Sequence, residues 1–417
     1  MTDPLPFDRD ALVDYGLNPS IEWDVIVIGG GATGLGTAVD AAARGYHTLL
    51  LEQHDFGKGT SSRSTKLIHG GVRYLQQGNV SLVFEALRER GRLLNNAPHL
   101  VRTIPFVVPC YKWWERQYYG FGLKLYQVMS GRLSVGPSSV LGRDMALNLL
   151  PNAAGEGMRG GVRYYDAQFD DARLIINLAQ TCADLGAVPL NYVRATGLLR
   201  RDGRIRGVVA EDVENAREVE LKARVVVNAS GVFADGVRRM DDPQCPPIIR
   251  PSQGIHVVVG RSFLPGDAAM MIPRTDDGRV LFVIPWHDRT ILGSTDTPVD
   301  SIDAEPDVRS SDVDFLLEHV ARYLKVAPER QDVLSIFAGL RPLVAAGRTE
   351  DTKAISRDHV LRVSSSGLVT ITGGKWATYR KMAQDTVDYA AKVAGLDQRP
   401  SPTPTLPIHG ARVWNRS

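Results

Sequence analysis

The chain is short of cysteine, of charge of one sign and of long apolar runs, and each shortage removes a class of protein. Cys110, Cys182 and Cys245 are its only cysteines, odd in number and far apart. That excludes a disulfide framework and a cysteine-rich metal cluster, and it fits a reducing cytosol. Forty-nine basic against 47 acidic side chains leave a net charge of +2. No bulk attraction to nucleic acid follows, so no nucleic-acid partner is expected and any basic site must be local. The leader carries Asp3, Asp8, Asp10 and Asp14 with no apolar stretch, and no run approaches the roughly 20 apolar residues of a spanning helix. Neither export nor membrane insertion is expected. What is present is 43% apolar and 23% charged composition over 417 residues, enough to bury one large core or two joined ones.

Asp24-Val-Ile-Val-Ile28 is a short apolar run that breaks into three glycines and then into Ala/Leu-rich sequence up to Arg44. A second apolar run, 47–51, ends in Glu52. Strand, glycine turn, helix and strand make a βαβ unit. Residues 207–210 and 224–227 read as strands on either side of a charged turn, followed by the break Asn228-Ala-Ser-Gly231. The stretch 241–251 carries four prolines and reads as a linker. Beyond it, 255–259, 280–284 and 290–292 are β-rich and broken by turns, which predicts an antiparallel sheet. Apolar spacing predicts a helix over 311–324, and 367–372 returns as a strand that stops at Gly373-Gly374 before a helix from Lys375.

The run Gly29-Gly-Gly31-Ala-Thr-Gly34 fits G-x-G-x-x-G at a strand end and a helix start. Gly29 permits the tight turn, Gly31 lets backbone approach a pyrophosphate, and Gly34 lets the helix pack on the strand. The helix start at Ala32 and Thr33 supplies free N–H donors and a positive dipole end. Glu52, about 20 residues past the last glycine, is placed to accept from a ribose diol. Its charge disfavours a 2′-phosphate, which leaves NAD or FAD. Two further segments favour FAD. The loop Thr60-Ser61-Ser62-Arg-Ser64-Thr-Lys66, continuing through Leu67 to His69-Gly70-Gly71, is rich in donors for phosphate and for a ring edge. Thr372-Gly373-Gly374-Lys375 is another helix start, whose N–H groups and cation suit the side of an isoalloxazine where charge builds on reduction.

These motifs, with Gly293-Ser-Thr-Asp-Thr297, Gly339-Leu-Arg-Pro-Leu343 and Thr372-Gly-Gly-Lys-Trp376-Ala-Thr378-Tyr-Arg380, resemble in order those of the FAD-dependent glycerol-3-phosphate dehydrogenases, over roughly residues 20–395. The resemblance implies an α/β plus α+β fold of the D-amino-acid-oxidase type. A Rossmann-like FAD-binding domain of discontinuous segments (20–95, 160–245 and 350–395) would join a substrate domain on a mainly antiparallel sheet (96–159 and 246–349), followed by a tail at 396–417. Members of this family usually continue into a helical C-terminal domain, which is not expected in this sequence. Asn228-Ala-Ser-Gly-Val-Phe233 departs from the family's usual Thr-Gly-Pro-Trp while Ser230 keeps a small hydroxyl.

By the same resemblance, Val193, Ser230, Gly231, Trp376 and Thr378 join the flavin site, and Arg73 and Arg357 bind the substrate phosphate, whose oxygens an arginine fork matches. Arg341 and Lys375 would polarise the developing ketone oxygen. His256, on a predicted strand, is the first candidate for proton acceptor, because imidazole titrates near working pH, and His69 is the second, although its loop position suggests flavin contact. The implied reaction moves a hydride from the carbinol carbon of glycerol-3-phosphate to flavin and yields dihydroxyacetone phosphate. Quinone as electron acceptor, a homodimer and a peripheral contact with the cytoplasmic face of the inner membrane are further expectations, and no metal is expected. The aromatic and basic stretch 111–129 suits a lipid interface or, alternatively, core packing. Competing readings are an amine or amino-acid oxidase of the same fold, a non-catalytic flavin-binding protein and an NAD dehydrogenase.

Overall fold

The computed structural model describes residues 7–71, 80–344 and 359–414. Its first sheet runs in the order His359–Val363, Val369–Gly373, Arg217–Asn228, Glu22–Ile28, Thr48–Leu51, Val188–Leu190. The four strands from Val369–Gly373 to Thr48–Leu51 are parallel to one another, as is Val188–Leu190 to Thr48–Leu51, while His359–Val363 runs antiparallel to Val369–Gly373. Parallel strands are covered on both faces, which is why they read as unbroken apolar runs. Val25, Val27 and Leu50 face one core, with Leu35 and Val39 of the helix Ala32–Ala43, Leu174 and Leu178 of Asp171–Asp184, and Met382 and Val387 of Tyr379–Ala394. Ile26, Ile28, Leu49 and Leu51 face the other, closed by Leu12, Leu17 and the hairpin Val193–Arg201/Arg204–Asp212. The two-residue alternation of a strand divides the layers.

Among the described residues the second sheet has ten strands, and its pairings are antiparallel except that of Ala269–Ile272 with Val101–Cys110. Near one end of this sheet Ile249–Gly260 lies between Arg289–Gly293 and Val333–Val344, so that His256 sits opposite both Gly293 and Phe337. The helix predicted over 311–324 forms as Ser310–Ala321 and buries Val313, Leu316 and Val320 against this sheet. The predicted linker 241–251 is shorter than expected, because the strand begins at Ile249.

The strand Gly160–Phe169, grouped by sequence with the nucleotide-binding segments, hydrogen-bonds along its length to Val101–Cys110 in the second sheet. Its end, Ala167 and Phe169, nevertheless packs into the first core. Pairing partners are non-local, and local pattern carries no record of them. The tail turns back onto the body: Ile408 and Ala411 are buried, and Arg380 forks onto Glu89 with both partners buried. The motif arginine Arg380 is therefore a structural tie between two helices.

Candidate active site

Ile28, Leu51 and Asn228 stand in register, with Thr370 beside Asn228. The loops leaving these strands therefore converge on the carboxyl edge of the sheet, where open α/β sheets bind ligands. A groove of about 320 Å³ lies there. Gly29, Gly31, Ala32, Thr33, Glu52 and Ser61 line one part of it, and Val193, Ser230, Gly231, Gly373, Gly374, Lys375 and Trp376 line the rest.

The glycines have separate tasks. Gly29 holds a φ of +111°, which only glycine adopts without strain. A Cβ on Gly34 would stand 1.8 Å from the Gly29 carbonyl oxygen, so this glycine supports the turn from beneath. Glu52 accepts the Gly30 and His54 N–H groups at 2.7 and 2.9 Å, one on each oxygen. Burial pushes its pKa up while these two donors pull it down, and each oxygen keeps a lone pair for a diol. The chain's two distant motifs meet directly. Ser61 Oγ accepts the Ala32 N–H at 3.0 Å, and the Trp376 indole donates to the Ser61 carbonyl at 2.8 Å.

A second pocket, about 210 Å³, shares Thr60, Pro342 and the stretch from Gly373 to Trp376 with the groove. Its own walls carry Arg63, Thr65, His69, His256 and Arg341. The Arg341 guanidinium donates to Ser294 Oγ and the Thr295 carbonyl, each at 2.8 Å, and pairs with Asp296 at 3.4 Å. Asp296 in turn accepts a short hydrogen bond from buried Ser252. The Gly293-Ser-Thr-Asp-Thr297 motif thus aims an arginine. Glycine makes the room: a Cβ on Gly254 would meet the guanidinium at 2.4 Å, and one on Gly293 would meet His256 at 2.2 Å.

His256 is buried, stacked on Phe337 at 4.7 Å and 14°, with Nε2 2.8 Å from Thr65 Oγ1. Nδ1 has no partner among the described residues. Burial, reinforced by Arg341 and Lys66, holds the imidazole well below its ordinary range. The expectation that it titrates near working pH is therefore corrected, and the ring is neutral there.

The serine-rich loop divides. Ser64 Oγ and Lys66 Nζ both donate to Asp171, at 2.7 and 2.6 Å, and Lys66 also donates to the Ser62 carbonyl. Asp171 thereby braces Ser62, Ser64 and Lys66, and of these Ser64 lines the second pocket, as does Leu67. Gly70 and Gly71 are buried and do not line it. Thr378 Oγ1 donates to the Lys375 carbonyl at 3.1 Å and closes the turn that precedes the last long helix. Arg73 and Arg357 lie outside the described residues. Sequence reasoning missed Asp296, Thr65, Phe337 and Asp171. For Asp296 and Thr65 the signal was their place inside quoted motifs, whereas Phe337 and Asp171 have none.

A ribose acceptor, a glycine turn under a helix start and a wall shared with a cationic pocket define a dinucleotide-binding oxidoreductase architecture, and the donors present fit such a group. The model of the family described as FAD dependent oxidoreductase matches residues 24–380, and the chain belongs to that family. It is 43% identical over its whole length to a mitochondrial glycerol-3-phosphate dehydrogenase of Mus musculus, and 44% identical over 96% of its length to that of Homo sapiens. It covers 59% and 57% of those proteins, so the chain spans under two thirds of the curated relatives it matches. Among solved structures, the glycerol-3-phosphate dehydrogenase from Bacillus halodurans complexed with FAD superposes with a TM-score of 0.79 at 31% identity, covering 98% of this chain and 72% of that one. A glycine oxidase from Bacillus cereus shares the fold alone, at 18% identity and a TM-score of 0.63 over 90% of this chain and 96% of that one.

Proposed function

We propose that the chain binds FAD in the groove and oxidises sn-glycerol-3-phosphate to dihydroxyacetone phosphate in the adjoining pocket. The observation that carries this reading is the shared wall from Gly373 to Trp376, which places a cationic pocket of small-metabolite size against the end of the dinucleotide groove. Gly29, Gly31 and the helix start at Ala32 and Thr33 would hold the pyrophosphate, Glu52 the ribose, and Gly373, Gly374 and Lys375 the ring. FAD, when bound, supplies the hydride acceptor.

The residues of the chain do the rest. Arg341, fixed by Ser294, Thr295 and Asp296, and Lys375 stabilise negative charge on the substrate oxygen as its proton departs. Neutral His256 is the proposed acceptor of that proton, while Thr65 holds Nε2 and so the ring's orientation. Arg73 and Arg357 remain the proposed phosphate contacts. The quinone acceptor and the homodimer expected from the resemblance belong to the same proposal.

Anaerobic addition of glycerol-3-phosphate to the flavin-loaded protein should bleach its oxidised visible bands. Bleaching by an amino acid and not by glycerol-3-phosphate would replace this reading with an amino-acid oxidase.

The proposal includes a lipid contact. No helix among the described residues is long and apolar enough to cross a membrane. Yet Trp113, Phe121 and Val128 are 74%, 76% and 65% exposed, and Trp114, Tyr118 and Leu125 fall at helical spacing beside them. Leu123 and Tyr126 of the same helix, Glu115–Met129, are buried, so the core-packing alternative accounts for its inner side only. Exposed aromatics flanked by Lys112 and Lys124 suit an anionic bilayer surface. Flotation with anionic vesicles, lost in Phe121→Glu, tests this, and no flotation of the parent protein would end it.

A further inference from the structure

Behind the wall of the second pocket lies a buried polar network that the reaction proposed above does not use. The Tyr126 hydroxyl accepts the Gly70 N–H at 2.7 Å and donates to Asp166 Oδ2 at 2.8 Å. Asp166 Oδ1 pairs with Arg90 at 2.8 Å, and Arg90 donates onward to Ser130 Oγ at 3.2 Å. Arg90, Tyr126 and Asp166 are all essentially inaccessible to solvent. Burial and the neighbouring carboxylate push the phenol well above its ordinary range, so it stays protonated and keeps its donor role.

Such a network is a poor source of stability. Desolvating a carboxylate and a guanidinium costs as much as their attraction returns, and well-packed apolar side chains would serve the core as well. Arg90 Nε has no partner among the described residues, but the carboxylate, the phenol and both terminal guanidinium nitrogens are paired, and what such pairing supplies is a single geometry. Here that geometry is imposed on Gly70. A Cβ at this position would meet Leu87 at 2.4 Å and the Tyr126 oxygen at 2.5 Å, so the backbone is clamped between the helices Val80–Asn96 and Glu115–Met129. The residue before the clamp is His69, whose side chain lines the pocket beside His256 and Arg341.

We infer that Tyr126 is a positioning residue, which fixes the segment carrying His69 in the pocket wall through its hydrogen bond from Gly70. It touches neither substrate nor flavin. The catalytic part of this inference rests on the function proposed above, whereas the structural part does not.

The test pairs Tyr126→Phe with Leu123→Ala in the flavin-loaded protein. Tyr126→Phe keeps the ring and removes the oxygen. Leu123→Ala opens a core cavity in the same helix and leaves the Gly70 bond in place. Amide hydrogen exchange over residues 67–71 should quicken at least about tenfold in Tyr126→Phe and stay near parent in Leu123→Ala, as expected for a local opening. The flavin-reduction rate with glycerol-3-phosphate should fall about 10- to 100-fold in Tyr126→Phe, with KM changed less than about threefold, because a misplaced wall residue costs rate before affinity. Leu123→Ala should lose melting temperature and keep the rate. Parent-like exchange in Tyr126→Phe, or equal quickening in both variants, overturns the inference. If the parent protein is not reduced by glycerol-3-phosphate, the proposed function fails, while the exchange result still decides the role of Tyr126.

Discussion

The nucleotide groove and the pocket beside it are made differently. The groove draws on glycines and small side chains from two motifs: Gly29, Gly31, Ala32 and Thr33 in one short stretch, with Gly373 and Gly374 from the other. In the proposed function its N–H groups, which any sequence able to make the turn would present, hold the pyrophosphate. The pocket depends on polar side chains held by residues from another part of the chain: Arg341 by Asp296 and Ser294, His256 by Thr65 and Phe337, Ser64 by Asp171. A site of the first kind fails when a Cβ is added, and a site of the second kind fails when a partner is taken away.

That contrast can be broken most severely at Gly34. Gly34→Val drives side-chain carbon into the Gly29 carbonyl and should leave no flavin in the purified protein, as read from visible absorbance per chain. A yellow Gly34→Val protein would mean that backbone geometry does not govern the groove. Arg341→Met should lower the rate of flavin reduction by about 10²- to 10³-fold, the usual loss when a preset donor to a developing charge is removed. Its flavin content should equal that of the parent, and a parallel loss of flavin would blur the boundary between the two sites.

Asp296→Asn should act in the same direction but less, about tenfold in kcat/KM, since it weakens one charge-assisted bond to Arg341 and leaves the Ser294 and Thr295 bonds in place. An unchanged kcat/KM would show that Ser294 and Thr295 suffice.

The smallest effect concerns stability. Burial, with Arg341 and Lys66 nearby, keeps His256 neutral when folded, while the unfolded chain takes up this proton near pH 6.5. The corresponding stability is complete above that pH and declines below it, by at most about 1.4 kcal/mol per pH unit. Urea midpoints at about pH 7 and about pH 5.5 should therefore differ less in His256→Asn than in the parent protein. An equal difference in both proteins would place the proton elsewhere.

Much of the groove was legible beforehand because its determinants are local. Val25 to Ile28 must be a doubly covered strand, the glycines must follow it, and Glu52 must end the next strand, all within one βαβ unit. The helix at 311–324 was found within a few residues for the same reason. The sheet to which Gly160–Phe169 belongs was not legible, since a strand's own pattern does not name its partner. Nor was the state of His256. An imidazole's ordinary titration was the natural expectation, and only its burial between Phe337 and Thr65 beside two cations reverses it.

By itself, then, the order of residues determined the βαβ unit, the spaced acid that ends it and the glycines that no other side chain can replace, because these depend on hydrogen bonds and steric limits within a few dozen residues. Only the tertiary structure decided that Asp296 aims Arg341, that Asp171 holds Lys66 and that Tyr126 holds Gly70. Each of those contacts joins residues far apart in the chain, and its strength depends on water being excluded around it, a property of the folded whole.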